Sequence, residues 1–473
     1  MNGRSKSAAN KFPLTYFLIL LASLLTTSST AFSQTAPKVA SESSQILEAL
    51  ILNIHPPKFP AREFPITDFG AVADGKADCT EAIRKAIEAC HKAGGGRVVI
   101  PRGEFLSGAI HLKSNVELHL DSQATLKFST DPKAYLPVVF TRFEGMECYN
   151  YSPLIYAFEQ VNVAVTGEGT LDGQASEENW WQWKGGKTAR EGGPNQKSAR
   201  DRLGKMVDEN VPVEKRQFGE GSFLRPSFVE FHGCQNVLIQ GVRIRRSPMW
   251  ELHPLLCSNV IVRGVNIDSH GPNNDGCDPE SCRNVLIEDC VFNTGDDCIA
   301  IKSGRNNDGR RVGVPSENIA IRRCTMKDGH GGVVIGSEIS GGCRNVFVED
   351  CTMDSPNLER VLRLKSNAVR GGVIKNILMR NIKVGQLRDA VLQIDFVYEE
   401  GANGPYKPVA QSIDMENITV DKTPRVLNVV GFPGAEISGV RIRNSTFNEV
   451  KKDDVVTEAD VKLVDCQIKK TAN

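Results

Sequence analysis

From Cys234 onward, apolar and polar residues alternate in short runs that recur at near-regular intervals. CQNVLIQGVRI (234–244), CSNVIVRGVNI (257–267), CRNVLIEDCVF (282–292), SENIAIRRCTM (316–326), CRNVFVEDCTM (343–353), IKNILMRNIKV (374–384) and MENITVDKT (415–423) share one design. Each has an asparagine, a stretch of alternating β-branched residues, a polar or glycine-containing break, and a second short strand. Asn236, Asn259 and Asn284 lie 23 and 25 residues apart, and the longer gaps to Asn318, Asn345 and Asn376 imply loops inserted between repeats. A period in the low twenties with two or three short strands per turn predicts a parallel β-helix. Inward valines, isoleucines and leucines of one coil would stack on those of the next, about 4.8 Å away. The repeated asparagines could form a side-chain ladder at one bend. A leucine-rich repeat is the rival, but leucine holds no fixed position and helical segments are missing.

The amino-terminal part reads as a cap followed by early coils around Asn115-Val116 and Asn162-Val163. In DCTEAIRKAIEACH (78–91), Asp78 is the expected N-cap with Glu81 three residues on. Ile83, Ala86, Ile87 and Cys90 form one apolar face, and Gly94-Gly95-Gly96 ends the helix. Such a helix would cover the first coil's open edge. Residues 176–225 break the rhythm with Trp180, Trp181 and Trp183 and a run rich in glycine and charge. That stretch reads as a loop inserted on one face, with the tryptophans either packing it onto the solenoid or offering a sugar-stacking platform.

Residues 1–33 read as an export signal: Arg4, Lys6 and Lys11 precede an apolar stretch from Leu14 to Leu25, and Ala31-Phe32-Ser33 supplies small residues for cleavage before Gln34. No later stretch reaches transmembrane length, so a secreted or periplasmic chain without a membrane span is expected. Residues 34–60 read as an extension or linker and 61–473 as a single β-helix domain. Lys and Arg number 57, as do Asp and Glu, so nothing steers the whole molecule toward nucleic acid or another polyanion, and attraction must come from a local patch. The 13 cysteines are an odd number, and Cys290, Cys298, Cys324 and Cys351 sit in β-like runs. Most are expected as small buried side chains, although Cys277 could bridge Cys282 or Cys290.

Four stretches carry candidate chemistry: Asn273-Asn274-Asp275, Gly295-Asp296-Asp297, Gly329-His330-Gly331 and Arg363-Leu364-Lys365. Asp275 precedes Asp296 and Asp297 by 21 and 22 residues, so one coil of sequence should make the three carboxylates neighbours. Adjacent residues on a strand point to opposite faces, so a bend at Gly295 is needed for both aspartates to reach one cleft. A solvated acidic turn or a calcium site is the plain alternative. Clustered carboxylates titrate apart, and glycosidic hydrolysis uses that split: one protonated carboxyl for the leaving oxygen, one carboxylate for water. His330, between glycines that permit a ligand's close approach, could hold the acid in register or be merely structural. Arg363 and Lys365 share one face with Leu364 inward, which suits a sugar carboxylate or an ordinary surface pair. Lys302, Arg305, Arg310 and Arg311 would thicken that patch, unless one pairs with Asp308.

In this order the four motifs resemble glycoside hydrolase family 28, the polygalacturonase family of right-handed parallel β-helix enzymes, whose pattern is N-T-D, G/Q-D-D, G-H-G and R-x-K. DFGAVADG (68–75) and ECYNYSPLIYA…GEGTLDG (147–173) extend the likeness over most of the mature chain, nearest to bacterial exo-acting members. The resemblance implies an inverting hydrolase of α-1,4-galacturonosidic bonds, a secreted pectin-degrading enzyme without metal or cofactor, monomeric, acting on acidic polysaccharide. It implies Asp296 as general acid, Asp275 and Asp297 as the residues that position and activate water, and His330 as support for the acid. Arg363 and Lys365 would bind the galacturonate carboxylate, and Tyr398 is the candidate for the family's functional tyrosine; Asn273, Lys302 and Arg305 are further candidate substrate contacts on the residues' own chemistry. Asn274 departs from the family's threonine.

Inverting enzymes usually separate their carboxyls by about 6.5–9.5 Å, whereas neighbouring coils suggest nearer 5 Å, the spacing of retention. The resemblance favours inversion. Other readings are a rhamnogalacturonan hydrolase of the same family, a calcium-dependent pectate lyase, and a non-catalytic carbohydrate-binding β-helix.

Overall fold

A computed structural model describes residues 42–471, so the segment read as an export signal lies outside the described residues. The chain winds into a right-handed parallel β-helix. Each central coil contributes strands to three columns. One column runs through Val161–Gly167, Gln235–Gln240, Ser258–Arg263, Arg283–Glu288, Ser316–Arg322 and Cys343–Glu349, each pairing in parallel with the next. A second passes through Arg243–Arg245, Asn266–Ser269 and Val291–Thr294. The third holds Val229–His232, Leu252–Leu255, Ile299–Ile301, Val333–Ile335, Arg360–Lys365 and Ala390–Asp395, joined across the middle by bridges at Cys277 and Glu280.

Alternation decides what faces inward. Val237, Val260, Val285, Ile319 and Val346 stack in register, and all are fully buried. Where the first column begins, the backbone makes a left-handed bend that asparagine tolerates because its short polar side chain bonds locally. Asn115, Asn162, Asn236, Asn259, Asn284, Asn318, Asn345 and Asn376 all have φ between 55° and 66°. Each amide donates to the one below, at distances such as 2.9 Å for Asn162 to Asn115 and 3.2 Å for Asn318 to Asn284. Asn417 is the exception to the expected alignment. It donates to Asn381 at a second bend, and Ser412 takes the place above Asn376 because Lys375 pairs with Gln411 and Ile377 with Ile413.

All 13 cysteines are free; twelve are buried and Cys466 is partly so. The suggested Cys277 bridges are not made. Cys282 instead points its thiol at the Pro254 carbonyl of the preceding coil, 3.1 Å away.

Two helices close apolar faces. Helix α1 (Glu42–Asn53) lies within the segment read as a linker. Its Leu47 and Leu50, with Ile54, cover an outward stripe that includes Leu286, Ala320 and Phe347. Helix α2 (Thr80–Lys92) buries Ile83, Ala86, Ile87 and Cys90 against the first coil. The expected capping box does not form. Cys79 occupies the N-cap, the Asp78 carboxylate accepts from the Thr80 amide, and Glu81 is drawn away by Arg84 at 2.6 Å.

The stretch 176–225 is a loop region carrying helix α3 (Lys197–Asp208). Trp180 and Trp183 are buried against Tyr135, Tyr151 and Phe223, and Trp181 donates to the Ser247 carbonyl at 2.8 Å. Packing onto the solenoid accounts for all three.

Candidate active site

The third column carries the four motifs. Asp275 precedes the bridging Cys277, Asp296 and Asp297 precede Ile299–Ile301, and His330 precedes Val333–Ile335. Cys277 pairs with Ile299 and Ile299 with Val333, so the residues just ahead of each are stacked. The bend required at Gly295 is present. A Cβ there would meet the Gly271 carbonyl oxygen at 2.4 Å, so only glycine lets the coils approach. Glycine at 329 answers the same demand: a Cβ would lie 2.8 Å from the Asp296 carbonyl oxygen. The glycine flanking His330 on this side thus admits the neighbouring coil's backbone rather than a ligand.

A cavity of about 150 Å³ opens at this point, and Asp275, Asp296 and Asp297 all line it. Asn273, Lys302, Arg305, Lys365 and Tyr398 complete one part of the wall. His330 and Arg363 are not part of that lining but contact its aspartates. His330 Nδ1 lies 2.9 Å from Asp296 Oδ1. Asp297 is gripped by Lys365 Nζ at 2.9 Å, with Arg363 Nη1 at 3.9 Å. The Tyr398 ring lies 5.8 Å from the Arg363 guanidinium carbon and 5.6 Å from Lys365 Nζ.

Local folding positions these groups. Asn273 takes a left-handed φ of 56° and accepts a bond from Arg225 at 2.7 Å. Buried Asn274 donates to the Ser247 and Met249 carbonyls and accepts from Ser269 and the Gly271 amide. Four bonds of that kind are beyond a threonine hydroxyl, which explains the departure at 274. Lys302 is buried among carboxylates, 3.6 Å from Asp275, 3.7 Å from Asp278 and 3.5 Å from Glu338. Arg305 pairs with Glu144, Glu338 and Glu399.

Arg310 and Arg311 do not thicken this patch. Both sit in helix α4 (Asn306–Val312). Arg310 stacks on Tyr406 with 3.5 Å to the ring centre, while Arg311 is taken by Glu147 and Asp308.

The carboxylates are electrically unlike. Burial pushes Asp275 well above the usual range, reinforced by the charges of Asp278 and Asp296. Burial also raises Asp278 to about 7, against the pull of Lys302 and His253. At Asp296 burial works upward too, but the His330 hydrogen bond and charge, with Lys365 and Lys302, outweigh it and bring the group to about 2. His330 is raised in return, chiefly by its bond to Asp296. One proton therefore belongs to the Asp296–His330 pair and another to the acid cluster around Asp275.

Several lining groups had no signal in the repeat. Glu144, Lys184, Arg200 and Glu399 come from excursions between coils, where spacing predicts nothing. Trp250, with Lys302 Nζ 4.5 Å from its ring centre, belongs to a coil but to no motif. Ligand atoms of Asp296, Asp297 and His330 lie within 4.8 Å of one another, close enough to hold a metal ion. Lys365 at 2.9 Å and Arg363 at 3.9 Å already spend the Asp297 charge and would repel a dication.

Known proteins share this arrangement of coils. The sequence model "Glycosyl hydrolases family 28" matches residues 215–426, and "Rhamnogalacturonase A/epimerase, pectate lyase-like" matches residues 64–135. A probable polygalacturonase of Vitis vinifera is 29% identical over 409 residues, covering 83% of this chain and 75% of that protein. The exo-poly-alpha-D-galacturonosidase of Dickeya chrysanthemi is 27% identical, covering 79% of this chain and 64% of its own length. The crystal structure of a hyperthermoactive exopolygalacturonase from Thermotoga maritima superposes with a TM-score of 0.86 at 44% identity, covering 90% of this chain and 96% of that one. With that identity along nearly the whole of a solved relative, and the family model lying across the coils that bear the aspartates, the chain belongs to glycosyl hydrolase family 28.

Proposed function

We propose that this protein is a secreted exo-acting hydrolase that removes galacturonate from the non-reducing end of pectic polygalacturonate with inversion. One observation supports the chemistry most: Asp275 Oδ1 and Asp297 Oδ1 are buried without a hydrogen-bond partner among the described residues, and both residues line the cavity that Asp296 also lines. Two carboxyl oxygens left unpaired beside one cavity suit a site that holds a water molecule, which needs several polar partners. In this reading Asp297, held by Lys365, activates that water. Asp275, whose carboxyl burial shifts well upward, orients it.

Asp296 is the general acid. The His330 hydrogen bond and charge, helped by the fields of Lys365 and Lys302, hold Asp296 low. A galacturonate carboxylate bound against Lys365 and Arg363 cancels part of that field, so anion binding moves the proton onto Asp296 as the leaving oxygen arrives. No separate nucleophile is needed, which is why the compact spacing does not force retention. Export rests on the amino-terminal stretch, and the exo mode on the small cavity and the likeness to exopolygalacturonases.

Product profiling on polygalacturonate tests the whole reading. Monomer alone from the first minutes is expected, and a ladder of oligomers would overturn the exo mode. Asp296→Asn should lower kcat by about 100-fold or more while leaving the fold and oligosaccharide binding largely intact. Near-normal turnover would move the acid role to Asp275, the carboxyl that burial shifts upward.

A further inference from the structure

A pocket for an anionic sugar has acidic side chains at the end remote from the acid pair. Asp296 and Asp297 precede the strand Ile299–Ile301, whereas Lys302 and Arg305 follow it. Glu144 binds Arg305, so it closes the cavity across that strand from His330. It projects from a hairpin, Val139–Phe143 with Met146–Asn150, whose tip is Glu144-Gly145. The tip is docked rather than free, because Arg305 donates its amide to the Gly145 carbonyl at 3.0 Å.

Only one oxygen of Glu144 is committed. Oε2 accepts from Arg200 at 2.6 Å and from Arg305 at 3.2 Å. Oε1 has no hydrogen bond among the described residues, although the side chain is only 9% exposed. A carboxylate oxygen left open on a residue that lines the cavity is free to accept from a ligand.

Sugar geometry says which donor. The bond cut by the acid pair leaves C1, and C4 lies opposite C1 across a pyranose ring. A cavity of about 150 Å³ is of the order of one sugar unit rather than of a chain. A unit that lies along that strand with C1 at Asp296 turns O4 toward Glu144. At a chain end O4 is a hydroxyl. In an internal unit it is an ether that donates nothing and carries a further anionic sugar.

Resting on the exo-galacturonan reading, we propose that Glu144 is a specificity-determining residue that accepts a hydrogen bond from the 4-hydroxyl of the terminal galacturonate. Selection of the chain end then has an attractive component as well as a steric one. The internal unit meets an unpaired carboxylate and its own negative charge beside Glu144.

The experiment compares trigalacturonate with a trimer whose non-reducing unit is 4-deoxy, which keeps the ring and its carboxylate and lacks one hydroxyl. The native protein is expected to lose about 100-fold or more in kcat/KM on the deoxy trimer. Glu144→Ala should act on the two trimers within about 10-fold of each other. Glu144→Gln preserves shape and an acceptor oxygen, and should reduce the native penalty by about tenfold, which covers the case of an alanine variant that fails to fold. A native penalty that persists unchanged in the folded variants, or a native protein indifferent to the deoxy unit, overturns the role of Glu144. No release from unmodified trigalacturonate would instead overturn the functional reading beneath it.

Discussion

Two neighbouring side chains, Asp296 and His330, divide one proton, and the direction of each shift sets a pH signature. The imidazole is raised above its ordinary value of 6.5 and the carboxyl lowered to about 2. The pair's contribution to stability is complete only between the two ordinary values. It is lost as pH rises through the raised histidine value, and lost again as pH falls toward about 2. Activity should follow the alkaline side, because the acid must retain that proton. His330→Gln is expected to move the alkaline limb of kcat/KM at least one unit lower and to reduce kcat by about 100-fold. An unmoved limb would assign the proton elsewhere. The aspartates and their histidine were legible in the chain because a solenoid turns coil-length spacing into contact. Glu144 and Glu399 were not, since both sit at left-handed positions in excursions, with φ of 46° and 49°.

Coils owe their regularity to the asparagine bend. Asn284 donates to Asn259 and accepts from Asn318, each at 3.2 Å, and holds φ at 58°. Asn284→Ala removes both bonds and places a Cβ in the left-handed region, costing about 2–3 kcal/mol. Asn284→Gly relieves the backbone and loses only the ladder, so urea unfolding should place it between native and alanine. If alanine and native unfold together, the ladder contributes nothing. The repeat announced this element, yet alignment by sequence alone put Asn417 one bend too early. Asn381 and Asn417 share the motif's local appearance, and only the strand pairing of Ile382 with Ile418 separates the two bends. Helix α1 escaped notice for a related reason. Its partner is an outward stripe formed by single residues from many coils, invisible within any one of them.

Across the whole molecule, formal charge sums to zero. Long-range steering of a polyanion is therefore absent, and recognition rests on cations set among carboxylates inside the cavity. Raising salt through the physiological range should change kcat/KM on trigalacturonate by no more than about threefold, because buried pairs are weakly screened. A steep fall would reveal an extended basic track outside the cavity. The sequence by itself determined the solenoid, its asparagine bends and the stacking of three aspartates, because these follow from local alternation repeated at a fixed interval. Tertiary structure alone decided the pocket's far wall, the helix over the outer stripe and the sharing of protons among the acids. Those depend on which distant segments meet and on how much water their meeting removes.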